Sequence, residues 1–258
     1  MNLKLFVFFF VYFLQYSNVE SAINQDMVAF FERLQEWMPY LDCIEEIDLP
    51  VMEPLFTETL DFDLVHEIGK FKGNFANMTI KNLSKYNVDL FNLNIIMLTV
   101  KANMSLPEIR LDGLYKLDGN IGDLIPIFGE GNLEISLQNI TVGVVAKMKA
   151  IPFSIQDLKI DFKIQGFKGH FYGLMGDPEL EETFNKLIND IALEALDVLW
   201  PEIEVGLVDM IKQMVADANL SLTDMLKLMK IIKEALPLPV PDHCKHKSPY
   251  NQQIIRLI

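Results

Sequence analysis

The sequence predicts an α+β fold in which a long, strongly curved antiparallel β-sheet wraps around a long α-helix. Three observations carry this reading. Apolar and polar residues alternate through most of residues 98–171, as in strands with one apolar face. That alternation changes phase near Asn139 and again between Ile164 and Phe167, and glycines recur within it; bulges and strand glycines both bend sheets. From Pro178 to Val215 the apolar spacing becomes three and four, which describes a helix about 57 Å long if straight. A wide apolar stripe and a one-sided sheet each need cover, and wrapping one around the other satisfies both.

The elements follow in chain order. Residues 1–22 read as a secretory signal peptide: Lys4 is the positive start, Leu5 to Leu14 is apolar throughout, and Ser21 or Ala22 is a small residue for cleavage. That run is too short to span a bilayer. Met27 to Tyr40 carries Phe30, Phe31, Leu34, Trp37 and Met38 at helical spacing until Pro39 stops it. A loop with Pro50 and Pro54 comes next. Leu98, Val100, Ala102, Met104 and Leu106 form one strand face, and after Pro107 a second strand carries Ile109, Leu111, Gly113, Tyr115, Leu117 and Gly119.

Leu133, Ile135 and Leu137 continue on odd positions, while Ile140, Val142, Val144, Ala146 and Met148 resume on even ones, which predicts a bulge near Asn139. Leu158, Ile160, Phe162 and Ile164 then give way to Phe167, Gly169 and Phe171. The glycines from Gly113 to Gly131 sit between strand patterns. No Gly-Lys-Ser/Thr follows them, and Asp123 and Glu130 would repel phosphate, so they build a curved hairpin and not a phosphate loop.

Asp177 is positioned to cap the long helix ahead of Pro178, with Glu179, Glu181 and Glu182 complementing its dipole on a solvated face. Pro201 should kink or break the helix near Asp197. A further helix is expected from Ser221 to Leu236, and "PLPVPDHCKHKSPY" then ends regular structure. The organisation is therefore a signal at 1–22, one domain at 23–236, and a Pro-rich, poorly ordered tail at 237–258.

Composition narrows function. The net charge of -14 opposes binding to nucleic acid or anionic lipid, so neither nucleic acid nor stable membrane association is expected. Five N-x-[ST] sequons, at Asn77, Asn82, Asn103, Asn139 and Asn219, agree with a secreted glycoprotein. The two cysteines, Cys43 and Cys244, either form one bridge from the N-terminal segment to the tail or remain buried thiols; the bridge is the expectation. No G-x-S-x-G or H-E-x-x-H occurs, and the four histidines, His66, His170, His243 and His246, form no catalytic pattern. "DHCKH" lacks the spacing of a zinc site, so neither an enzyme nor a metal or other cofactor is expected.

The inward positions predicted by alternation and helical spacing are Leu98, Val100, Leu111, Tyr115, Ile135, Leu137, Val142, Val144, Met148, Ile160, Phe162, Phe184, Ile188, Ile191, Leu199 and Trp200. If these side chains fill the enclosed space they form an ordinary core, and if they fall short a hydrophobic tunnel remains. The first case is a monomeric secreted interaction or signalling protein with an unknown receptor. The second is a carrier of a small lipophilic ligand, with the Tyr115 hydroxyl available to orient a polar head group.

The order of three blocks tips the balance. "LPEIRLDGLYKLDGNIGDLIPIFGEGNLEISLQNITVGV", "LKIDFKIQGFKGHFYGLMGDPELEETFNKLIND" and "LWPEIEVGLVDMI" together resemble the takeout and haemolymph juvenile-hormone-binding protein family of insects. The Tyr115-to-Leu137 glycine block and the Leu174-to-Leu180 helix entry are similar to that family's most recognisable stretches, and "LPVMEPLF" at 49–56 resembles another. The resemblance implies a curved sheet wrapping a helix around a hydrophobic tunnel, and secretion into haemolymph or another extracellular fluid. It also implies carriage of juvenile hormone, another terpenoid or a fatty-acid-like lipid, and roles in circadian, feeding or chemosensory physiology. One departure is clear: residues 23–40 lack the paired cysteines usual near the family's mature N-terminus.

Overall fold

The computed structural model describes residues 23–43, 51–66, 69–122, 124–150, 153–217 and 236–245. The expected signal peptide, the body of the helix expected from Ser221, and the sequon at Asn219 lie outside these residues. Six strands form one antiparallel sheet: β1 (Leu55–His66), β2 (Gly69–Lys81), β3 (Asn87–Asn94), β4 (Thr99–Ile121), β5 (Ile125–Ala150) and β6 (Phe153–Phe171). Their order is β1-β2-β4-β5-β6, with β3 also on β4. β2 covers Arg110 to Ile121 of β4 and β3 covers Thr99 to Ser105, so two short strands share one long edge.

Three helices complete the described chain: α1 (residues 23–37), α2 (Pro178–Asp217) and α3 (Asp242–Lys245). The sheet is not a closed barrel. Its curvature shows in what its two edges reach: β6 packs along α2, and at the other edge Nε2 of His66 in β1 lies 3.6 Å from Oε1 of Glu202 in the same helix. A flat sheet could not bring both edges to one helix.

β1 was not evident from sequence, although Leu60, Phe62 and Leu64 alternate with Asp61 and Asp63; as an edge strand it leaves Leu60 58% exposed, which blurs the pattern. The split expected at Pro107 does not occur either, since β4 runs through it for 23 residues.

The same row explains the changes of phase. β4 pairs with β5 at Leu106–Ile140 and Glu108–Gln138, and β5 with β6 at Gln138–Gly166 and Ile140–Ile164, with no shift of register. Pro107, Asn139 and Gln165 thus form one row across three strands, with Asn139 left-handed at φ 51°. The bulge expected at Asn139 is absent because both neighbouring strands carry the same extra residue. Real register shifts lie elsewhere, at Ala76/Thr79 opposite β4, Val88/Leu90 opposite β4 and Lys147/Met148 opposite β6. At the first of these, Gly113 makes room for the Met78 side chain: a Cβ there would stand 2.3 Å from its sulfur.

The concave face carries two apolar clusters, one on each side of that row. The first joins Met78, Tyr115, Ile127, Leu133 and Leu174, with Leu111, Ile135, Phe184 and Ile188 against them. The second joins Ala146, Leu158 and Ile160, with Val100, Val142, Val144, Trp200, Leu207 and Ile211. A third cluster lies at the termini, where Trp37 and Leu41 pack on Leu236, Val240 and Cys244. There the Trp37 indole donates to Pro237 O at 2.9 Å, and Cys43 and Cys244 are joined in a disulfide across 201 positions. Residues 237–245 are therefore packed and not a loose tail, because Val240 and Cys244 have an apolar surface to bury against; residues 246–258 lie outside the described chain.

α2 begins as its sequence dictates, with Oδ1 of Asp177 accepting the N–H groups of Glu179 and Leu180 at 3.0 and 3.1 Å. It is not broken at Pro201 but continues to Asp217.

Side-chain amides fasten this helix to β6. Oδ1 of Asn185 accepts Phe171 N–H at 2.8 Å while its Nδ2 donates to Phe171 O at 3.1 Å. Asn189 does the same to Gly169, at 2.8 and 2.7 Å. Lower down, Ile160 N–H donates to Oε1 of Glu204 at 2.9 Å and the Trp200 indole donates to Ile160 O at 3.2 Å. These clamps on both sides of Pro201 hold the helix in line.

Asn185→Ala is expected to lower stability by about 2–4 kcal/mol in urea melts, since it orphans a buried N–H and a C=O together. Glu182→Ala, on the exposed face, should change it by less than about 0.5 kcal/mol.

Candidate functional site

Asn185, Asn189 and Glu204 each answer a backbone group that a further strand would otherwise pair. On β6 the residues so answered are odd-numbered above Gln165 and even-numbered below it, the phase change seen in the side chains. Between the Asn189–Gly169 and Trp200–Ile160 contacts the helix and strand part over an apolar cavity of about 200 Å³, lined by Phe162, Ile164, Leu193, Leu196, Trp200 and Ile203, with Asp197. Phe162 and Trp200 stack with ring centres 4.9 Å apart and form its floor. The cavity lies beside the phase-change row, with Ile164, next to Gln165, in its lining.

The residues predicted to face inward separate into two groups. Leu111, Tyr115, Ile135, Phe184 and Ile188 meet in the first cluster, and Val100, Val142, Val144, Ile160 and Trp200 in the second, with Phe162 stacked on Trp200. Leu137, Met148, Ile191 and Leu199 are half-buried and lie in neither group. Leu98 is not on a strand face: it occupies the turn before β4 with φ 49°, its carbonyl accepting Met148 N–H at 2.7 Å.

In mid-helix the positions turned inward are Ala192, Leu196 and Trp200 in place of Ile191 and Leu199. The hydrophobic count missed this because two asparagines set the helix face. Of the other lining residues, Ile203 belongs to the apolar repeat, whereas Leu193 and Leu196 fall outside it and spacing gave no signal for them.

Two polar expectations change. Tyr115 is 3% exposed, its ring meets Phe171 edge-on at 5.2 Å, and its hydroxyl donates to Tyr172 O at 3.1 Å. It locks the first cluster and does not present its hydroxyl to a ligand. Burial, with Glu181 nearby, pushes its pKa up to about 12. Glu181 is not on a solvated face. Its side chain is 24% exposed, its Oε2 accepts Gly173 N–H at 2.7 Å, and Oε1 lies 3.3 Å from His170 Nε2. With Asn185 and Asn189 it completes an i, i+4 series that holds the strand and the turn after it.

Other surfaces suit an apolar ligand less. On the opposite face of the sheet a groove of about 450 Å³ is lined by Glu108, Arg110, Asp112, Glu134, Ser136 and Lys168 among others. It carries charges of both signs, and hydrogen bonds from Ser136 and Arg110 hold the Glu108 carboxyl below its ordinary range. At the termini His243 lies beside Cys43 and Cys244, but both sulfurs are in the disulfide and offer no thiolate to a metal. Among the described residues no helix is long and apolar enough to cross a membrane, which says nothing of β-barrels.

The architecture is thus a curved antiparallel sheet fastened to one long helix, with an apolar cavity between them. The sequence model of the haemolymph juvenile hormone binding protein family matches residues 11–227, and the chain belongs to that family. Among solved structures it resembles Takeout 1 of Epiphyas postvittana, with 19% identity, a TM-score of 0.54, and coverage of 83% of this chain and 92% of that one. At that identity the likeness establishes the fold alone. Lipopolysaccharide binding protein also matches, at 17% identity over 76% of this chain and 37% of that one, but its TM-score of 0.33 is too low to bear on the fold. No curated protein matches by sequence.

The raised Tyr115 pKa has a consequence for stability. The folded chain keeps the phenol proton up to about pH 12, while an unfolded tyrosine releases it near pH 10. The stabilisation is therefore complete below about pH 10 and is lost as pH rises through about 12. Tyr115→Phe should show a shallower fall in melting temperature over that window, and lower stability at neutral pH by about 1 kcal/mol through the lost bond to Tyr172.

Proposed function

We propose that the protein is a secreted carrier that binds a small hydrophobic ligand between β6 and α2. The observation that carries this is the cavity at Phe162, Leu196 and Trp200, about 200 Å³ and apolar but for Asp197. Apolar cavities of roughly 150 Å³ already admit benzene. Since Ile203 at the lip is 47% exposed, a longer chain can extend outward from the cavity. The ligand's apolar end belongs in this cavity, in the second half of the concave face. Terpenoids, fatty-acid-like lipids and juvenile hormone itself all have the required apolar body, and the name of the family supports that class.

The rest of the reading concerns secretion. Residues 1–22 act as the signal and the mature chain is one domain carrying N-glycans. Asn77, Asn103 and Asn139 are exposed and Asn82 half-exposed, and Asn77, Asn82 and Asn139 stand at turns or irregularities with φ of 51°, 69° and 51°. No catalytic constellation is part of this reading.

Filling the cavity tests it. Leu196→Trp should weaken binding of a fluorescent terpenoid or fatty-acyl probe at least tenfold while leaving the urea midpoint within the range of ordinary core substitutions. Leu199→Ala, off the cavity, should leave affinity within about twofold. Equal affinities for wild type and Leu196→Trp would place the ligand elsewhere. A wild-type chain that binds no lipophilic probe and leaves the native state without adduct mass would favour a ligand-free interaction protein.

A further inference from the structure

Resting on the carrier reading, we infer that the cavity between β6 and α2 selects amphiphiles whose polar end is neutral or cationic and donates hydrogen bonds, and rejects free carboxylates, through Asp197 at its lip. The other polar side chains near the cavity are committed to β6. Asn189 is committed to Gly169, the Trp200 indole N–H to Ile160 O, and Glu204 to Ile160 N–H. Asp197 is the one charged residue lining the cavity, and it is exposed to any head group that leaves through the lip.

Pro201 adds a second acceptor. In a helix the carbonyl of residue 197 is answered by the N–H of residue 201, and proline has none. The Asp197 carbonyl is thereby deprived of its helical donor within the same residue that carries the carboxylate. Residue 197 thus carries two acceptors, one charged, beside the apolar wall of the cavity.

An alcohol, amide or ammonium can donate to this pair. A carboxylate cannot donate, and its charge would sit close to the like charge of Asp197, which repels it. The edge of β6 at Phe162 and Ile164 contributes uncharged backbone groups to the same opening by its alternation with Ile160. Those groups favour any polar head about equally, so charge decides the selection.

Three probes of one chain length separate the possibilities: dodecanol, dodecylammonium and dodecanoate. Each is titrated at neutral pH, below its micellar concentration, against the secreted protein holding a displaceable fluorescent lipid. Dodecanol and dodecylammonium should displace the fluorophore at least tenfold more effectively than dodecanoate. Asp197→Asn should bring dodecanoate to within about threefold of dodecanol and weaken dodecylammonium. Glu194→Gln, which makes the same change in net charge at an exposed position off the cavity, should leave the ranking unaltered and so exclude the overall charge of -14 as its cause. Pro201→Ala, which restores a helical donor to the Asp197 carbonyl, should weaken dodecanol severalfold and leave dodecanoate where it was.

Dodecanoate equal to dodecanol in the wild type would overturn the inference, as would equal effects of Asp197→Asn and Glu194→Gln. All three probes binding alike would leave the carrier reading standing without this selectivity. No binding by any of them would remove both.

Discussion

An edge strand inside a folded protein must have its outward N–H and C=O groups answered, and the arrangement of this molecule follows from how β6 meets that demand. Among the described residues no further strand lies beyond it. Asn185 and Asn189, one helical turn apart, offer Phe171 and Gly169 the donor and acceptor that a strand residue would have offered. Glu181 continues the series to Gly173, and Trp200 with Glu204 repeat it at Ile160. Amide side chains suit this role because each carries both a donor and an acceptor at one end. Once these contacts fix the rotation of α2, Ala192, Leu196 and Trp200 must face the sheet, whatever a count of apolar residues favours.

The cavity follows from the same geometry. Hydrogen bonding to the strand edge shifts from odd to even residues across Gln165, and a regular helix cannot follow that shift in a single series. The contacts above and below are made by separate sets of side chains, and the interval between them is apolar and unfilled. Pro107 and Asn139 continue the row across the sheet without altering register, so three strands turn together and the two halves of the concave face stay joined. A proline that would damage a central strand is accommodated there because its missing N–H falls where pairing lapses.

Much of this was legible in the sequence, for definable reasons. The alternation of β4, β5 and β6, the phase change at Asn139 and the Asp177 cap are local signals, each carried by a few adjacent residues. The cause of the phase change was not legible, because a bulge and a row shared by three strands look the same in one strand. The helix face was misjudged in its middle since Asn185 and Asn189 are polar in type yet turned inward. Tyr115 was placed on the correct face with the wrong task; only the structure shows that Tyr172 O takes its hydroxyl. Leu98 failed because a left-handed turn residue ends the alternation one position early.

The termini form a further small core, shared by α1, the segment 236–245 and the disulfide. In this arrangement α2 does the work of a neighbouring strand for β6. Residue-resolved amide hydrogen exchange measures this directly. The N–H groups of Ile160, Gly169, Phe171 and Gly173 should exchange as slowly as those paired between β4 and β5, although β6 is the last strand of its sheet. Exchange as fast as that of the outward amides of β1, the opposite edge, would mean that the helix does not seal the sheet.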